Sequence, residues 1–388
     1  MQKFIVSLVF LISLLGFNIQ AQPSRLEPAE QKRIVTLKKN YPHHNAEIAS
    51  LLQHYRTLGK LEEHLHGNTQ DSYAQNMLTW QLPTGGFGIQ NHQAYLKPWD
   101  GQQKRSQWVS EGVEHGNFDD HATVAEIRYL AQIYKQTKNS ALRQAIEASV
   151  SKAITFIYKA QHPSGGWPQV YPKRTNKKGQ YSNHITLNDD AMVRVMVLLT
   201  DISAAIAPFD SNIIAPKLKA VIYPKLASAV DYLLKAQIKS QGKLTIWASQ
   251  HNATTYQPEA GRAYEPIART GYESVGVITF LINWPWQTPA VRLAINASTD
   301  WYQQTKVSDM WHNKKQTGLI EVRQGKRLWY RYYEIEQDVP IFFGRDGVKK
   351  YNLSEVESER RSGYGWGGDY AGHLLKAYKV YIHERSDE

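Results

Sequence analysis

Cysteine is absent from the 388 residues of this chain. Disulfide staples, a thiol nucleophile and thiolate metal ligands are therefore excluded, and the fold must be held by core burial. Beyond residue 21 no apolar run reaches the roughly 20 residues that a membrane-spanning helix takes. No GxSxG elbow occurs, so a serine nucleophile of that type is not expected. Gly363, Gly365, Gly367 and Gly368 form a glycine-rich patch, but no Lys-Ser or Lys-Thr follows it, as a phosphate cradle would need. His64 and His66 have no third ligand at useful spacing, which argues against zinc. No Ser/Pro-rich linker interrupts the chain after residue 30, and one domain over residues 22–388 is expected.

What is present begins with a basic start at Met1-Gln2-Lys3, an apolar run from Phe4 to Phe17, and Ile19-Gln20-Ala21 before Gln22. This reads as a secretory leader removed at or near Ala21, which places the mature chain in the periplasm or the medium. Lys and Arg outnumber Asp and Glu by 46 to 35, a net charge of +11. These cations are spread along the chain instead of forming one arm or helix, so an acidic polysaccharide fits better than nucleic acid. The 11 Trp and 23 Tyr supply flat rings that stack on sugar faces. No heptad or exposed apolar stripe calls for an oligomer, and a monomer is expected.

An internal repeat organises the chain. Gln81-Leu82-Pro83-Thr84-Gly85-Gly86-Phe87 recurs as Gln161-His162-Pro163-Ser164-Gly165-Gly166-Trp167, and Lys235-Ala236-Gln237 repeats Lys159-Ala160-Gln161 on the way to Gly242 and Trp247. Such periods mark stacked supersecondary units. Each copy ends an amphipathic helix: Ile146, Val150, Ala153, Ile154 and Ile157 before the second, and Leu226, Val230, Leu233 and Leu234 before the third. Ala191 to Leu199 is apolar nearly all round and should be buried on every side. The expected fold is mostly α, an incomplete or complete ring of helical hairpins, an α/α toroid with its loops at one end. A small β-hairpin is expected where Leu319–Arg323 and Leu328–Ile335 flank Gln324-Gly325.

The segment from Lys243 to Glu273 crowds Trp, Gln, His, Tyr, Arg and Glu between two apolar helices and is too broken by Pro and Gly to be one itself. Loops of this kind display binding and catalytic groups. Asn188-Asp189-Asp190 sits at the mouth of the apolar helix, where it reads equally as an N-cap or as hard-oxygen ligands for Ca²⁺. Asp119-Asp120 stands similarly before the helix that starts near Thr123. Arg262 in GRAYEP, Arg331 in WYRYYEI and Arg345 in GRDG lie in aromatic or glycine settings, with Lys97 in KPWD a weaker case. A guanidinium pairs with carboxylates at two points, and a uronic acid offers one carboxylate per sugar.

Taken together, FDDHAT (118–123), GGWPQVYP (165–172), TLNDDAMVRVM (186–196), WASQH (247–251), GRAYEP (261–266), GYES (271–274) and PIFFGRDG (340–347) resemble the family 10 polysaccharide lyases, pectate lyases with an (α/α)3 toroid. The likeness spans about residues 60 to 385 in conserved motif order. It implies β-elimination of polygalacturonate with calcium, with Arg262 as the base that removes the carbon 5 proton. It further implies Asn188, Asp189, Asp190 and Asp119 around Ca²⁺ and the uronate, and Arg331, Arg345, Lys97 and Trp247 in substrate binding. The family often carries Asp-Asn where this chain has Asp119-Asp120, and an arginine base is at odds with a guanidinium pKa above about 12. Two rivals remain on sequence alone. A glycoside hydrolase of toroid fold would use paired carboxylates, and a non-catalytic pectin-binding protein would need neither Arg262 nor the Asp pairs.

Overall fold

The computed structural model describes residues 28–58, 61, 67–88, 92–175, 177–262 and 264–386; the leader read at residues 1–21 and the His64/His66 pair lie outside them. Three helical hairpins form the body: α1 (Val124–Gln136) with α2 (Ser140–Ala160), α3 (Ala191–Ala204) with α4 (Ile222–Ala236), and α5 (Glu273–Asn283) with α6 (Pro289–Gln304). The central α3 packs against both α1 and α5, while α2, α4 and α6 lie outside them. Sequence dictates this layering. All 14 residues of α3 are buried, and in α5 only Val275 is not. The outer helices bury one stripe each, such as Leu142, Ile146, Val150, Ala153, Ile154 and Ile157 of α2. The result is the α/α toroid expected from the repeat.

The repeated glutamine explains why the units stack. Gln81 donates to the carbonyls of Gly85 (2.7 Å) and Ser149 (2.9 Å). Gln161 donates to those of Gly165 (2.7 Å) and Lys225 (2.9 Å). Gln237 donates to the carbonyls of Thr245 (2.9 Å) and Ala294 (3.1 Å). Each amide closes its own loop and stitches it to the next outer helix, satisfying buried carbonyls that would otherwise be orphaned. Trp167 and Trp247 occupy matching places below, donating to Ile157 (2.9 Å) and Leu233 (2.7 Å).

Glycine is required in these loops by close approach as well as by backbone angle. Gly165 has φ +113°, and a Cβ there would collide with the Ser228 backbone carbonyl. Gly242 has φ +79° but nothing within 4 Å. Gly165→Ala should therefore cost about 2 kcal/mol or more, and Gly242→Ala only about 1 kcal/mol. Denaturant midpoints of the two variants measure the difference, and equal losses would mean that the contact with α4 carries no weight.

Short ladders lace the loop end. β1 (Gly116–Asn117) pairs with β2 (Val170–Tyr171), and β3 (Ile185–Thr186) with β4 (Gln250–His251). β5 (Arg269–Thr270), β6 (Val307–His312), β7 (Ile320–Tyr330), β8 (Tyr332–Tyr333) and β9 (Gly367–Gly368) continue the lacing: β7 lies between β6 and β9, and β8 pairs with β5. The expected hairpin is corrected here. Gln324-Gly325 is no turn between partners but an excursion inside β7, with the Gly325 amide donating to Asp309 (2.7 Å), and the true partner strand is β6.

Candidate active site

Two inner helices open on the same unusual turn. Asp119–His121 and Asn188–Asp190 are each a single 3-10 turn, with Asp120 at φ 46° and Asp189 at φ 49°. Left-handed backbone at a residue other than glycine is costly, and strain of this kind gathers at functional sites. The two turns pack against each other. Asn188 is buried and donates to its neighbour Asp189 (2.7 Å). The half-buried Asp119 carboxyl is pushed up to about 7, chiefly by burial and then by Asp120 and Asp189, while the Arg262 charge pulls it down. Arg262 and the acidic turns, far apart in sequence, thus lie within electrostatic reach of one another at the loop end, the two sides of a candidate cleft.

A tight turn builds the Arg262 corner. The Gly261 amide donates to the Glu265 carbonyl (2.9 Å), and the Glu265 amide returns to the Arg262 carbonyl (2.7 Å). Glu265 then accepts from the Arg262 backbone amide (3.0 Å), from its Nε (2.9 Å) and, by a shorter contact, from Nη2. Burial alone would lower the Arg262 pKa, but hydrogen bonding and charge from Glu265 raise it above the ordinary guanidinium value. In this state Arg262 is a cation held in place, with Nη1 outside the clamp.

Arg331 occupies the break between β7 and β8. Its backbone is fixed on both sides, its amide donating to Trp366 (2.9 Å) and its carbonyl accepting from Gly271 (2.8 Å). The buried guanidinium bonds Glu273, reaches Asp189 (3.2 Å), and lies between the rings of Tyr272 (4.9 Å) and Tyr364 (4.7 Å). Burial raises the pKa of Glu273, against the pull of Arg331.

Between these corners runs a set of rings and guanidiniums, of which sequence reading missed Tyr264, Tyr364 and Arg360. Tyr264 has Arg262 at 5.1 Å, Arg345 at 5.0 Å and Arg360 at 4.8 Å from its ring centre. Arg360 also stacks on Tyr364 (3.8 Å), is itself buried, and has Nε and Nη2 without a hydrogen-bond partner. Arg345 is exposed and bonds Glu359 (3.0 Å). Four arginines bridged by Tyr264 and Tyr364 make this wall of the cleft strongly cationic.

Other expected residues lie elsewhere. Trp247 is fully buried with its indole donating to Leu233, so it is a core residue and not a stacking platform. Asp190 lines a pocket of about 380 Å³ with Tyr55 and Tyr272, its carboxylate 3.4 Å from His54; Asp189 and Asp120 are the carboxylates that act on Asp119. Lys97 is exposed, its carbonyl accepting from Trp80 (2.9 Å), and no hydrogen bond, ion pair or ring contact among the described residues joins it to the arginine wall. The described His, Asp and Glu side chains place three ligand atoms within 4.8 Å of one another only at His43, His44 and Glu384, beside the opposite ends of the inner helices. The cleft carboxylates form an open set instead of a closed cage.

The family model described as pectic acid lyase matches residues 81–375. The chain belongs to the pectic acid lyase family. Among solved structures it is similar to a family 10 polysaccharide lyase from Cellvibrio cellulosa, at 31% identity and TM-score 0.71, covering 86% of this chain and 96% of that one. It is also similar to a mutant of that enzyme in complex with trigalacturonic acid, at 30% identity and TM-score 0.70, covering 86% and 97%. No curated protein matches it. Family membership makes the chain a polysaccharide lyase, specifically a pectate lyase, and excludes a purely binding role.

Proposed function

We propose that this pectate lyase cleaves α-1,4-linked polygalacturonate by β-elimination, with Arg262 as the proton acceptor and a calcium ion at the acidic turns. The observation that carries this reading is the electrostatic meeting of Arg262 with Asp119, beside a Tyr264 ring over which Arg345 and Arg360 also lie. The proton leaves carbon 5 of a uronate, its electron pair becomes the carbon 4–carbon 5 double bond, and the carbon 4–oxygen bond to the leaving sugar breaks. That oxygen takes up a proton, and no water is consumed. Negative charge grows on a group that already carries a carboxylate, so fixed cations aimed at it lower the barrier. Arg331, held by Glu273, and Arg345 and Arg360 around Tyr264 would serve that task.

The donor set fits a hard divalent ion. Burial first, and then the charges of Asp120 and Asp189, push up the pKa of Asp119, and carboxylate oxygens with the Asn188 amide oxygen suit Ca²⁺. Such an ion, when bound, supplies positive charge beside the uronate carboxylate. Asp119→Asn should remove the repulsion and raise the melting temperature of the metal-free protein by about 2 °C, while abolishing any further rise on adding calcium. A variant that melts no higher than the parent and still responds to calcium would place the ion elsewhere. We further propose, from the leader read in the sequence of residues 1–21, that the enzyme works outside the cytoplasm, where pectin is met.

The test is direct. Purified protein given polygalacturonate should release ultraviolet-absorbing unsaturated ends, stop in excess chelator and recover with calcium. Chain shortening without new absorbance would favour the hydrolase reading, and activity indifferent to chelator would remove the metal.

A further inference from the structure

Beyond the Asp119 side of the cleft stands a second cluster that the mechanism does not use. Tyr181 leads to it: burial raises its phenol pKa, while Arg262 and Arg174 both pull it down. Tyr181 meets the ring of Trp108 edge-on at 6.3 Å, and the Arg174 guanidinium lies over that same Trp108 ring at 5.2 Å. The loop is braced for this. Asn183 accepts from the Arg174 amide (2.8 Å) and donates to its carbonyl (2.8 Å). Trp108 Nε1 and Arg174 Nε are both buried N–H donors with no acceptor, and among the described residues Arg174 has no carboxylate partner. Buried donors are normally satisfied.

Alongside lies a cavity of about 600 Å³ that Asn183 and Lys173 help to line. Lys159, His162 and His184 also face it, and no Asp or Glu does among the described residues. A ring platform with unpaired donors, next to an acid-free basic cavity, suits a sugar carrying a carboxylate: its apolar face covers Trp108 or Tyr181, and its anion meets the planar fork.

We infer that Trp108, Tyr181 and Arg174 form a distal subsite that holds a further galacturonate unit of the same polysaccharide, next to the cleavage centre at Arg262. The inference rests on the proposed function for the identity of the sugar. Its physical consequence is that affinity rises in a step once an oligomer is long enough to reach Arg174, because the energy comes from one added contact.

Calorimetry separates the possibilities, using the Arg262→Ala variant so that nothing is cleaved and galacturonate oligomers of increasing length as probes. The step should vanish when Arg174→Ala is added, weakening the long oligomers about tenfold and leaving the shortest bound oligomer unchanged. Arg174→Lys should recover only part of it, since a point charge replaces a fork. Trp108→Leu, checked for fold by circular dichroism, should remove the step independently and also the tryptophan fluorescence change that accompanies it. In the otherwise native enzyme, Arg174→Ala should raise KM on polygalacturonate with kcat little changed, as loss of uniform binding does. Equal weakening at every length, or none, overturns the subsite. If the native protein forms no unsaturated ends yet the Arg174-dependent step persists, the subsite stands and the lyase chemistry falls.

Discussion

Arg262→Ala is expected to lower kcat/KM on polygalacturonate by about a thousandfold, the usual scale for removing a general base, while the protein stays folded. The side chain is half exposed on a surface loop, so its loss opens no cavity in the core. Arg262→Lys should fare little better, since an ammonium cannot keep the Nε and Nη2 contacts to Glu265 and still present a third nitrogen to substrate. Glu265→Gln discriminates between two roles for the arginine. Glu265 raises the Arg262 pKa, so removing its charge lowers that pKa, and a base that must lose its proton becomes available at lower pH. The rising limb of the pH–rate profile should then move to lower pH. If Arg262 acts only as a fixed cation, Glu265→Gln will alter KM and leave the limb where it is.

Arg331→Ala should damage both stability and turnover. Glu273 is fully buried beneath it, and removing one partner of a buried ion pair costs about 3–5 kcal/mol because the other is left uncompensated. Protonation of Glu273 limits that cost, since burial already pushes its pKa up and Arg331 is the group that pulls it down. The loss should therefore be smaller at low pH than at neutral pH, where the carboxylate must stay charged. Arg331→Lys is expected to return much of the stability, through a charge near Glu273, without restoring activity, because the planar guanidinium, whose Nη2 bonds both Glu273 and Asp189 while its face meets Tyr272 and Tyr364, is gone. Urea denaturation at two pH values, beside kinetics on the same preparations, checks both halves. Equal destabilisation at both pH values would show that lost packing between Tyr272 and Tyr364, and not the charge, sets the cost.

Much of the scaffold could be read from the chain because its repeats carry a chemical requirement. Gln81, Gln161 and Gln237 recur since only a side-chain amide at that place both closes the loop and reaches the next outer helix. The same alignment held the answer for Trp247. It matches Trp167, and a ring repeated below a structural loop packs in the core, whereas the polar company it keeps in sequence pointed outward. Arg262, Asp119, Asp189 and Arg331 were legible as charged residues in irregular or strained settings. Glu265 and Glu273 stood inside the quoted motifs GRAYEP and GYES without a role, because their work is to hold an arginine and not to meet substrate. Arg360 and Tyr264 were illegible for another reason. Nothing in sequence relates them, and only the return of the chain after β7 lays one over the other. Asp190 and Asp189 are adjacent in sequence, yet with a left-handed turn at each Asp190 meets His54 while Asp189 meets Arg331, which no spacing argument anticipates.

Elimination and hydrolysis differ in whether water enters the product. Polygalacturonate digested in oxygen-18-labelled water and examined by mass spectrometry should give oligomers that carry no label and include one unsaturated end per cut. Oligomers that gain one labelled oxygen per cut, with saturated ends, would contradict the proton-abstraction chemistry assigned to this cleft.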